Sequence, residues 1–200
     1  MAKRYNPRDR FYQRAKKEGF AARSVYKLEE IDARLRLFKK GQRVVDLGCS
    51  PGSWLQYISG KVTEHGLVVA YDLAPPRVNA GPQARVFQAD AFDLTPKRLR
   101  DDAGFEDEEQ FDAVVSDMAP KTTGIRDSDQ ARSIALVEHA LWLADEVLTS
   151  GGVFAAKTFQ GRGFDELLND VKRRYADVKA LRPKATRQGS REAFIVARRR

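Results

Sequence analysis

One stretch, from Arg43 to Trp54 and reading RVVDLGCSPGSW, constrains the fold of this chain more than any other. The β-branched Val44 and Val45 predict a buried strand that runs into Asp46. The turn that follows contains two glycines and a proline, and a helix is predicted after it. This order is typical of an α/β sheet that holds a nucleotide-like ligand at the carboxyl ends of its strands. Ordinary strand-to-helix turns also contain glycine and proline, so the stretch alone leaves both interpretations open.

The second predicted strand narrows the choice of ligand. Its apolar run, Leu67–Ala70, leads into Tyr71 and Asp72, and an acidic residue at this point is placed to accept hydrogen bonds from a ribose. A dinucleotide-binding loop would read G-x-G-x-x-G, whereas this loop reads GCSPG and lacks that spacing. Because the strand before the loop ends on the acidic Asp46, the site suits a cationic ligand without phosphates. S-adenosylmethionine is such a ligand.

Two more predicted strands are each followed by a carboxylate. The run Arg85–Gln88 leads to Asp90, which is placed to meet the amino group of an adenine, although a helix or turn cap is an equally good interpretation. The run Phe111–Ser116 leads to Asp117. Because the carboxyl ends of parallel strands meet at one edge of a sheet, we expect both carboxylates at the same edge as Asp72.

The last two strands that matter for the site carry a lysine and a glutamate. The run Val153–Ala156 ends at Lys157. A lysine that is buried there would lose its proton readily, whereas one that snorkels would reach solvent. The strand Glu192–Ala197 begins at Glu192, so it must run antiparallel to the others if Glu192 shares their site.

The helices are predicted from the period of the apolar residues. One helix covers Ser24–Phe38, with Ser24 as its N-cap and Lys27 in its first turn. By itself, Lys27 would be interpreted as a surface lysine. A long helix covers Ala131–Leu148 and follows a polar stretch, Lys121–Asp129, which is predicted to be a loop at the mouth of the site.

The net charge of +8 is concentrated at the start of the 200-residue chain, since residues 1–40 contain 13 Lys and Arg against 5 Asp and Glu. Between Met1 and Gly19 the basic residues are interleaved with Tyr5, Phe11 and Tyr12. This pattern favours contact with the phosphates and bases of a nucleic acid over a basic surface that only aids solubility. We predict a basic N-terminal extension over 1–20 and one domain over 21–200.

Several classes of protein are excluded or disfavoured by what the sequence lacks. The only cysteine, Cys49, excludes an internal disulfide and a cysteine-based zinc site. No group of residues has the spacing of metal ligands, so no metal is expected. No apolar run has the length of a signal peptide or of a membrane span, so we expect no membrane partner and a cytoplasmic location. A monomer is the default expectation.

These motifs together resemble the FtsJ/RrmJ family of ribose 2′-O-methyltransferases, and the resemblance covers nearly the whole chain. The family has a catalytic set of lysine, aspartate, lysine and glutamate, and every position has a candidate here. Lys27 stands in SVYKLEEI, Asp117 in SDMAP, Lys157 in KTFQG and Glu192 in SREAFIVA. Four spaced motifs in the family's order are far more specific than the glycine loop.

The resemblance implies a Rossmann-like fold that uses S-adenosyl-L-methionine, with a seven-stranded, mostly parallel sheet, an antiparallel last strand and helices on both faces. It also implies a cofactor site lined by Gly52, Trp54, Asp72, Asp90 and Asp117. Within the family, the chain looks most similar to bacterial members that methylate a uridine ribose in 23S rRNA. The implied partner is therefore 23S rRNA, as part of the large ribosomal subunit.

Our hypothesis for the reaction is that Lys157 removes the proton of the ribose 2′-hydroxyl. Repulsion by Lys27 and burial would ease the loss of the lysine's own proton, and Asp117 would orient the amine and stabilise the charge that it gains. Glu192 would hold Lys27 or the ribose. The alternatives are the same chemistry on transfer RNA or an mRNA cap, an NAD-dependent dehydrogenase, and a non-catalytic RNA-binding protein of ribosome assembly.

Overall fold

The structure is a computed structural model that describes residues 9–106 and 109–200. Predictions for residues 1–8, including the stacking role of Tyr5, lie outside this part of the chain. The helices are α1 (Arg10–Glu18), α2 (Val25–Leu35), α3 (Ser53–Val62), α4 (Pro96–Ala103), α5 (Arg126–Val147) and α6 (Phe164–Arg174), with a short 3-10 helix at Ala91–Asp93. The strands are β1 (Arg43–Leu47), β2 (Leu67–Asp72), β3 (Ala84–Gln88), β4 (Phe111–Ser116), β5 (Leu148–Phe159), β6 (Tyr175–Leu181) and β7 (Glu192–Arg199).

The strands form one seven-stranded sheet in the order β3-β2-β1-β4-β5-β7-β6. Strands β1 to β5 are parallel to their neighbours among themselves, whereas β7 is antiparallel to both β5 and β6. The predicted Rossmann-like sheet with an antiparallel last strand is therefore confirmed. The chain moves outward from β1 to β3 and then returns to β4 on the other side of β1. The crevice at such a reversal is where open α/β sheets bind their ligands.

Successive residues of the central strands point to two buried faces of the sheet. In β1, Val44 belongs to the apolar core formed with α2 and α3. Its neighbour Val45 belongs to the core formed with α4, α5 and α6 on the other face. The prediction of helices on both faces is confirmed. Among the residues described, no helix combines the length and the apolar character that a membrane span requires.

The N-terminal helix α1 is attached to the rest of the molecule by its apolar side. Ala15 is buried with Val25 and Tyr26 at the start of α2, and with Ala185 of the loop between β6 and β7. The Tyr26 hydroxyl also donates a hydrogen bond of 2.9 Å to Glu18. The predicted boundary between the extension and the domain falls between α1 and α2 and stays a prediction.

The prediction for α2 was wrong about where the helix ends, whereas Ser24 is its N-cap residue, as predicted. The helix ends at Leu35 rather than at Phe38, because the buried Asp32 carboxylate accepts the backbone N–H of Phe38 at 3.1 Å and draws the chain away from the helix axis. Ser24 does precede the helix, but its hydroxyl makes no capping bond. It lies instead 2.9 Å from the hydroxyl of Ser53, at the start of α3.

The predicted loop over Lys121–Asp129 is shorter than expected, because α5 begins at Arg126. The carboxylate of Asp129, in the first turn of α5, accepts hydrogen bonds from the backbone N–H of Thr123 at 2.7 Å and of Gly124 at 3.2 Å. These bonds fold the end of the loop against the helix. A polar sequence had predicted a loop where the polar side chains in fact begin a helix.

Candidate active site

Four charged side chains lie at the carboxyl ends of the central strands. Asp46, Asp72, Asp117 and Lys157 come from β1, β2, β4 and β5 or from the residue that follows the strand. Each continues the alternation of apolar residues that face α2 and α3, so the four side chains share one face of the sheet. The pairing of β4 with β5 places Lys157 level with Asp117.

A cleft that is open to solvent lies at this edge of the sheet. Its walls include Gly48, Tyr71, Asp72, Leu73, Asp90 and Met118. The mixture of apolar walls and a few polar groups is typical of small-molecule sites. Of the five residues predicted for the cofactor, Asp72 and Asp90 line this cleft, whereas Gly52, Trp54 and Asp117 are placed outside its lining.

The Asp72 carboxylate connects the cleft to the glycine-containing loop. One oxygen accepts the backbone N–H of Ser50 at 2.9 Å, and the other accepts the backbone N–H of Ala74 at 3.0 Å. Asp72 therefore has a fixed orientation before any ligand binds. A carboxylate held in this way at the second strand is positioned for the ribose contact that we predict for it.

Asp90 combines the two interpretations that the sequence left open. Its carboxylate accepts the backbone N–H of Phe92 at 3.0 Å and so caps the 3-10 helix at Ala91–Asp93. The same residue lines the cleft. The cap fixes the side chain at the wall, and its proposed contact with an adenine amino group stays a prediction.

Gly52 and Trp54 are placed differently from what a lining role implies. A Cβ at Gly52 would lie 2.3 Å from the Val78 side chain, so packing of the protein on itself already requires glycine there. The Trp54 indole is buried against Phe194, with ring centroids 5.8 Å apart, and donates its N–H to the Ser24 carbonyl at 3.1 Å. Both residues lie at the start of α3, where backbone N–H groups lack intrahelical partners, so a cofactor contact would be made by the main chain.

Asp46 is the most isolated charged group of the site. It is 0% exposed, and within residues 9–106 and 109–200 neither carboxylate oxygen has a hydrogen-bond partner. Burial raises the pKa of this carboxyl well above its usual value, and the negative charges of Asp117 and Asp72 raise it further. A cation bound above it would relieve both effects, and the residues present therefore fit S-adenosylmethionine, whose sulfonium is positively charged.

Lys157 is buried rather than exposed, so the alternative of a snorkelling lysine is wrong. Its side chain is 8% exposed, and its ammonium nitrogen lies 2.9 Å from Asp117 Oδ1. The same nitrogen donates a hydrogen bond of 2.5 Å to the Asp117 carbonyl oxygen. One aspartate thus holds the amine by its side chain and by its main chain.

Lys27 and Glu192 form a second pair beside the first. Lys27 Nζ donates to Glu192 Oε2 at 2.7 Å, and the lysine side chain is 11% exposed, so the interpretation of Lys27 as a surface residue is wrong. Burial acts to raise the pKa of the Glu192 carboxyl, but the charge and hydrogen bond of Lys27 and the charge of Lys157 outweigh it, and this pKa is lowered. The charge of Lys157 acts on Glu192, so the Lys27–Glu192 pair lies close to the Asp117–Lys157 pair. The four predicted catalytic side chains therefore form one cluster.

The chemistry that this cluster supports follows from its side chains. No group of three or more potential metal ligands occurs among the residues that the structure describes. The cluster instead offers two buried amines, each held by a carboxylate, next to a cleft for a small ligand. Such an arrangement is able to position a hydroxyl group and accept its proton.

A second cleft on the far side of the Lys27–Glu192 pair was not predicted as a site. Its walls include Arg23, Arg187 and Ser190. Burial lowers the pKa of Arg23, and the positive charge of Arg187 lowers it further, which shows that the two guanidinium groups repel each other. The signal in the sequence was the basic loop before Glu192, which predicted a nucleic-acid contact but no particular geometry.

Two polar residues of α5 that sequence analysis missed hold the end of β5. Gln130 donates its side-chain N–H to the Phe159 carbonyl at 2.5 Å, and the Ser133 hydroxyl accepts the Phe159 N–H at 3.2 Å. Phe159 pairs with Glu192 across the sheet and follows Lys157 by two residues. Buried polar residues inside a helical pattern were the available signal.

Comparison with known sequences identifies close relatives. The profile of the FtsJ-like methyltransferase family matches residues 20–200. A protein of Bdellovibrio bacteriovorus named ribosomal RNA large subunit methyltransferase E is 48% identical over 192 residues, which cover 96% of this chain and 96% of that protein. A protein of the same name from Desulfatibacillum aliphaticivorans is 47% identical over 189 residues, which cover 94% of this chain and 89% of that protein.

Comparison with solved structures supports the fold. A chain from Plasmodium falciparum described as a ribosomal RNA methyltransferase superposes with a TM-score of 0.75 at 22% identity, covering 90% of this chain and 98% of that chain. A chain of a fibrillarin/Nop5p complex superposes with a TM-score of 0.61 at 17% identity, covering 88% and 83%. At these identities the likeness is evidence about the fold alone.

Proposed function

The chain belongs to the FtsJ-like methyltransferase family, and on that basis we propose that it transfers a methyl group from S-adenosylmethionine to the 2′-hydroxyl of a uridine ribose in 23S rRNA. The observation that carries the proposal is the assembly of Lys27, Asp117, Lys157 and Glu192 into one cluster beside a cleft lined by Asp72 and Asp90. These residues come from distant parts of the sequence, and they meet where a hydroxyl and a methyl donor would have to meet.

The cofactor, when bound, supplies an electrophilic methyl group on a sulfonium. Asp72 and Asp90 would hold it at the side of the cleft, and the main chain at Gly52 and Trp54 would complete its site. Asp46 would lie beneath it as a negative charge. Since the methyl group is already reactive, the protein has two remaining tasks, which are to align the ribose oxygen and to remove its proton.

Lys157 would remove that proton. Asp117 holds the amine from two sides, so its direction is fixed before the RNA arrives. Alignment of this kind is worth up to about 7–11 kcal/mol in well-oriented systems, and a general base adds roughly 10²–10⁴ in rate. The structure modifies one part of our hypothesis, because Glu192 compensates the charge of Lys27 at 2.7 Å. Repulsion of Lys157 by Lys27 is therefore weaker than that hypothesis assumed.

The second cleft would bind the phosphates of the RNA strand next to the target nucleotide. Arg187 would contribute its positive charge there, beside Arg23, which is already paired with Asp9. Helix α1 adds Lys16 and Lys17 in its last turn to the basic surface. Binding through such contacts should weaken steeply as salt is added. We propose the large ribosomal subunit as the partner, and a monomer in the cytoplasm as the working form.

The test is to incubate the protein with tritiated S-adenosylmethionine and, in parallel, with undermodified large ribosomal subunits, free ribosomal RNA and transfer RNA. The label is mapped to a nucleotide, and resistance of the adjacent bond to alkali identifies a 2′-O-methyl group. We expect label on a single uridine of the large subunit and none with Lys157→Ala. Lys97→Ala, which removes an exposed lysine far from the cluster, is the matched control and should retain activity.

The alternatives give different results in the same experiment. Label confined to transfer RNA would keep the chemistry and overturn the substrate. RNA binding without any transfer of label would favour a non-catalytic assembly factor.

A further inference from the structure

Asp46 lies one layer below the other charged residues of the site. The register pairs it with Ala70 of β2 and Val115 of β4, two residues before Asp72 and Asp117 respectively. Two residues along a strand correspond to about 7 Å. The Asp46 carboxylate therefore stands on the floor of the site, between two acidic residues that stand on its walls.

The charges that act on Asp46 within residues 9–106 and 109–200 are negative. Asp72 faces it from β2, and Asp117 faces it from β4. Cys49, in the loop after β1, is a buried thiol whose pKa is raised by burial and by the charges of Asp46 and Asp72. On the β5 side, the nearest cation is Lys157, and its charge is already engaged by Asp117.

Ionisation of an aspartate in this position costs free energy, and two features of its environment show this. Neither of its oxygens receives a hydrogen bond from any residue that the structure describes. Its burial and its two acidic neighbours act in the same direction, toward the protonated form. If Asp46 were a structural aspartate that anchors the glycine-containing loop, it would accept hydrogen bonds from that loop. The N–H of Ser50 in the loop is instead bonded to Asp72.

We propose that Asp46 is the residue by which the site distinguishes the methyl donor from the spent cofactor. In the free protein it holds a proton, and when S-adenosylmethionine binds, the proton leaves to solvent and the carboxylate remains as the counter-charge of the sulfonium. S-adenosylhomocysteine carries a neutral thioether in place of the sulfonium, so it binds over a protonated Asp46 and releases no proton. This inference rests on the proposed cofactor and adds a specificity-determining residue to its site.

The proposal has a consequence for each ligand. Since binding of the donor is coupled to release of a proton, its affinity should rise with pH, by up to about tenfold per unit while Asp46 is protonated in the free protein. The affinity of the product should stay nearly constant over the same range. Higher pH thus favours exchange of product for donor, without movement of any element of the fold.

The experiment is calorimetric titration of the protein with S-adenosylmethionine and with S-adenosylhomocysteine, without RNA, in buffers of different ionisation enthalpy. The dependence of the observed heat on the buffer gives the number of protons released. We expect release of close to one proton with the donor and close to none with the product. With Asp46→Asn, the two ligands should release equal numbers, and the preference for the donor over the product should fall by about tenfold.

The control is Asp112→Asn, which removes a carboxylate from the opposite end of β4, where it accepts the N–H of Arg43. It should change neither the proton count nor the preference. Thermal unfolding checks that Asp46→Asn is folded. If it is not, the pH dependence of the two affinities in the wild-type protein still tests the proposal.

Three outcomes are decisive. Equal proton release with donor and product in the wild type would overturn the proposal, and so would unchanged release in folded Asp46→Asn. A protein that binds neither ligand would instead overturn the proposed function, because it would show that the cleft is not a site for this cofactor.

Discussion

The carboxylates in the two halves of the site lie in opposite electrostatic environments. On the side of the cleft, Asp46, Asp72 and Asp90 have no cationic partner among the residues that the structure describes. In the other half, Asp117 and Glu192 each hold a lysine, at 2.9 and 2.7 Å. The first half carries negative charge that the described residues leave without a cation, whereas the second half is neutralised from within and holds its lysines in place. The contrast teaches that the two halves of the site are built on different electrostatic principles.

The largest effect is expected from Lys157→Arg, which tests what the second half does. Arginine keeps the positive charge and a bond to Asp117, but it does not give up its proton. If Lys157 acts as a base, single-turnover methyl transfer should fall by about 10²–10⁴-fold, while the Kd for S-adenosylmethionine should change by less than about twofold. Lys97→Arg serves as the control. Near-normal turnover of Lys157→Arg would show that only the charge is needed.

A smaller effect is expected from Asp72→Asn, which tests the first half. Hydrogen bonds to a charged group are worth about 1.5–3 kcal/mol, so the Kd for S-adenosylmethionine should rise by roughly 10–100-fold. The affinity for RNA should be unaffected, because the second cleft is untouched. Equilibrium binding of each ligand measures the two effects separately. Asp101→Asn removes an exposed acid and should leave both unchanged. An unchanged Kd in Asp72→Asn would contradict the role of the acidic half.

Glu192→Gln tests whether the neutralised half also stabilises the fold. The pair with Lys27 is partly buried, so we expect a loss of about 1–2 kcal/mol in the free energy of unfolding at neutral pH. The pKa of Glu192 is lower in the folded protein than its usual value of 4.5. Its contribution is therefore complete above that value and is lost as the pH falls through the folded-state pKa. Urea unfolding of both proteins should show a difference that shrinks in acid, and a constant difference would argue against the ionised pair.

Trp54→Phe should have the smallest effect. Phenylalanine preserves the contact with Phe194 and loses one hydrogen bond to the Ser24 carbonyl. We expect a loss of about 1 kcal/mol in stability and an unchanged affinity for S-adenosylmethionine, because the indole packs against Phe194 and bonds to Ser24. Thermal unfolding and equilibrium binding measure the two quantities. A large loss of affinity in a folded variant would place the indole in the site.

The strands that form the site could be predicted because each is a short apolar run that ends on a charged residue. The meeting of the carboxyl ends of parallel strands then placed Asp72, Asp90 and Asp117 at one edge. The pairing of Lys27 with Glu192 could not be predicted in the same way. The two are 165 residues apart, and their contact depends on where β7 enters the sheet. Local pattern gives the ends of strands, but not which distant side chains meet.

The errors have a common physical cause, which is that a side chain sometimes bonds to the backbone of another segment. Asp129 draws the preceding loop onto α5, and Asp32 ends α2 early. Such bonds leave no periodic trace in the sequence, so reading along the chain did not reveal them.

The position of β7 determines the order in which the two parts of the site form during synthesis. β7 is the last strand of the chain, yet it lies between β5 and β6. Before it is made, β6 has no neighbour in the sheet, β5 has a bare edge, and Lys27 lacks its counter-ion. A growing chain on the ribosome thus contains every strand that lines the cleft before it contains Glu192, which pairs with Lys27. Contacts between distant segments form late in folding. The pair of Lys27 and Glu192 therefore forms only when β7 enters the sheet between β5 and β6.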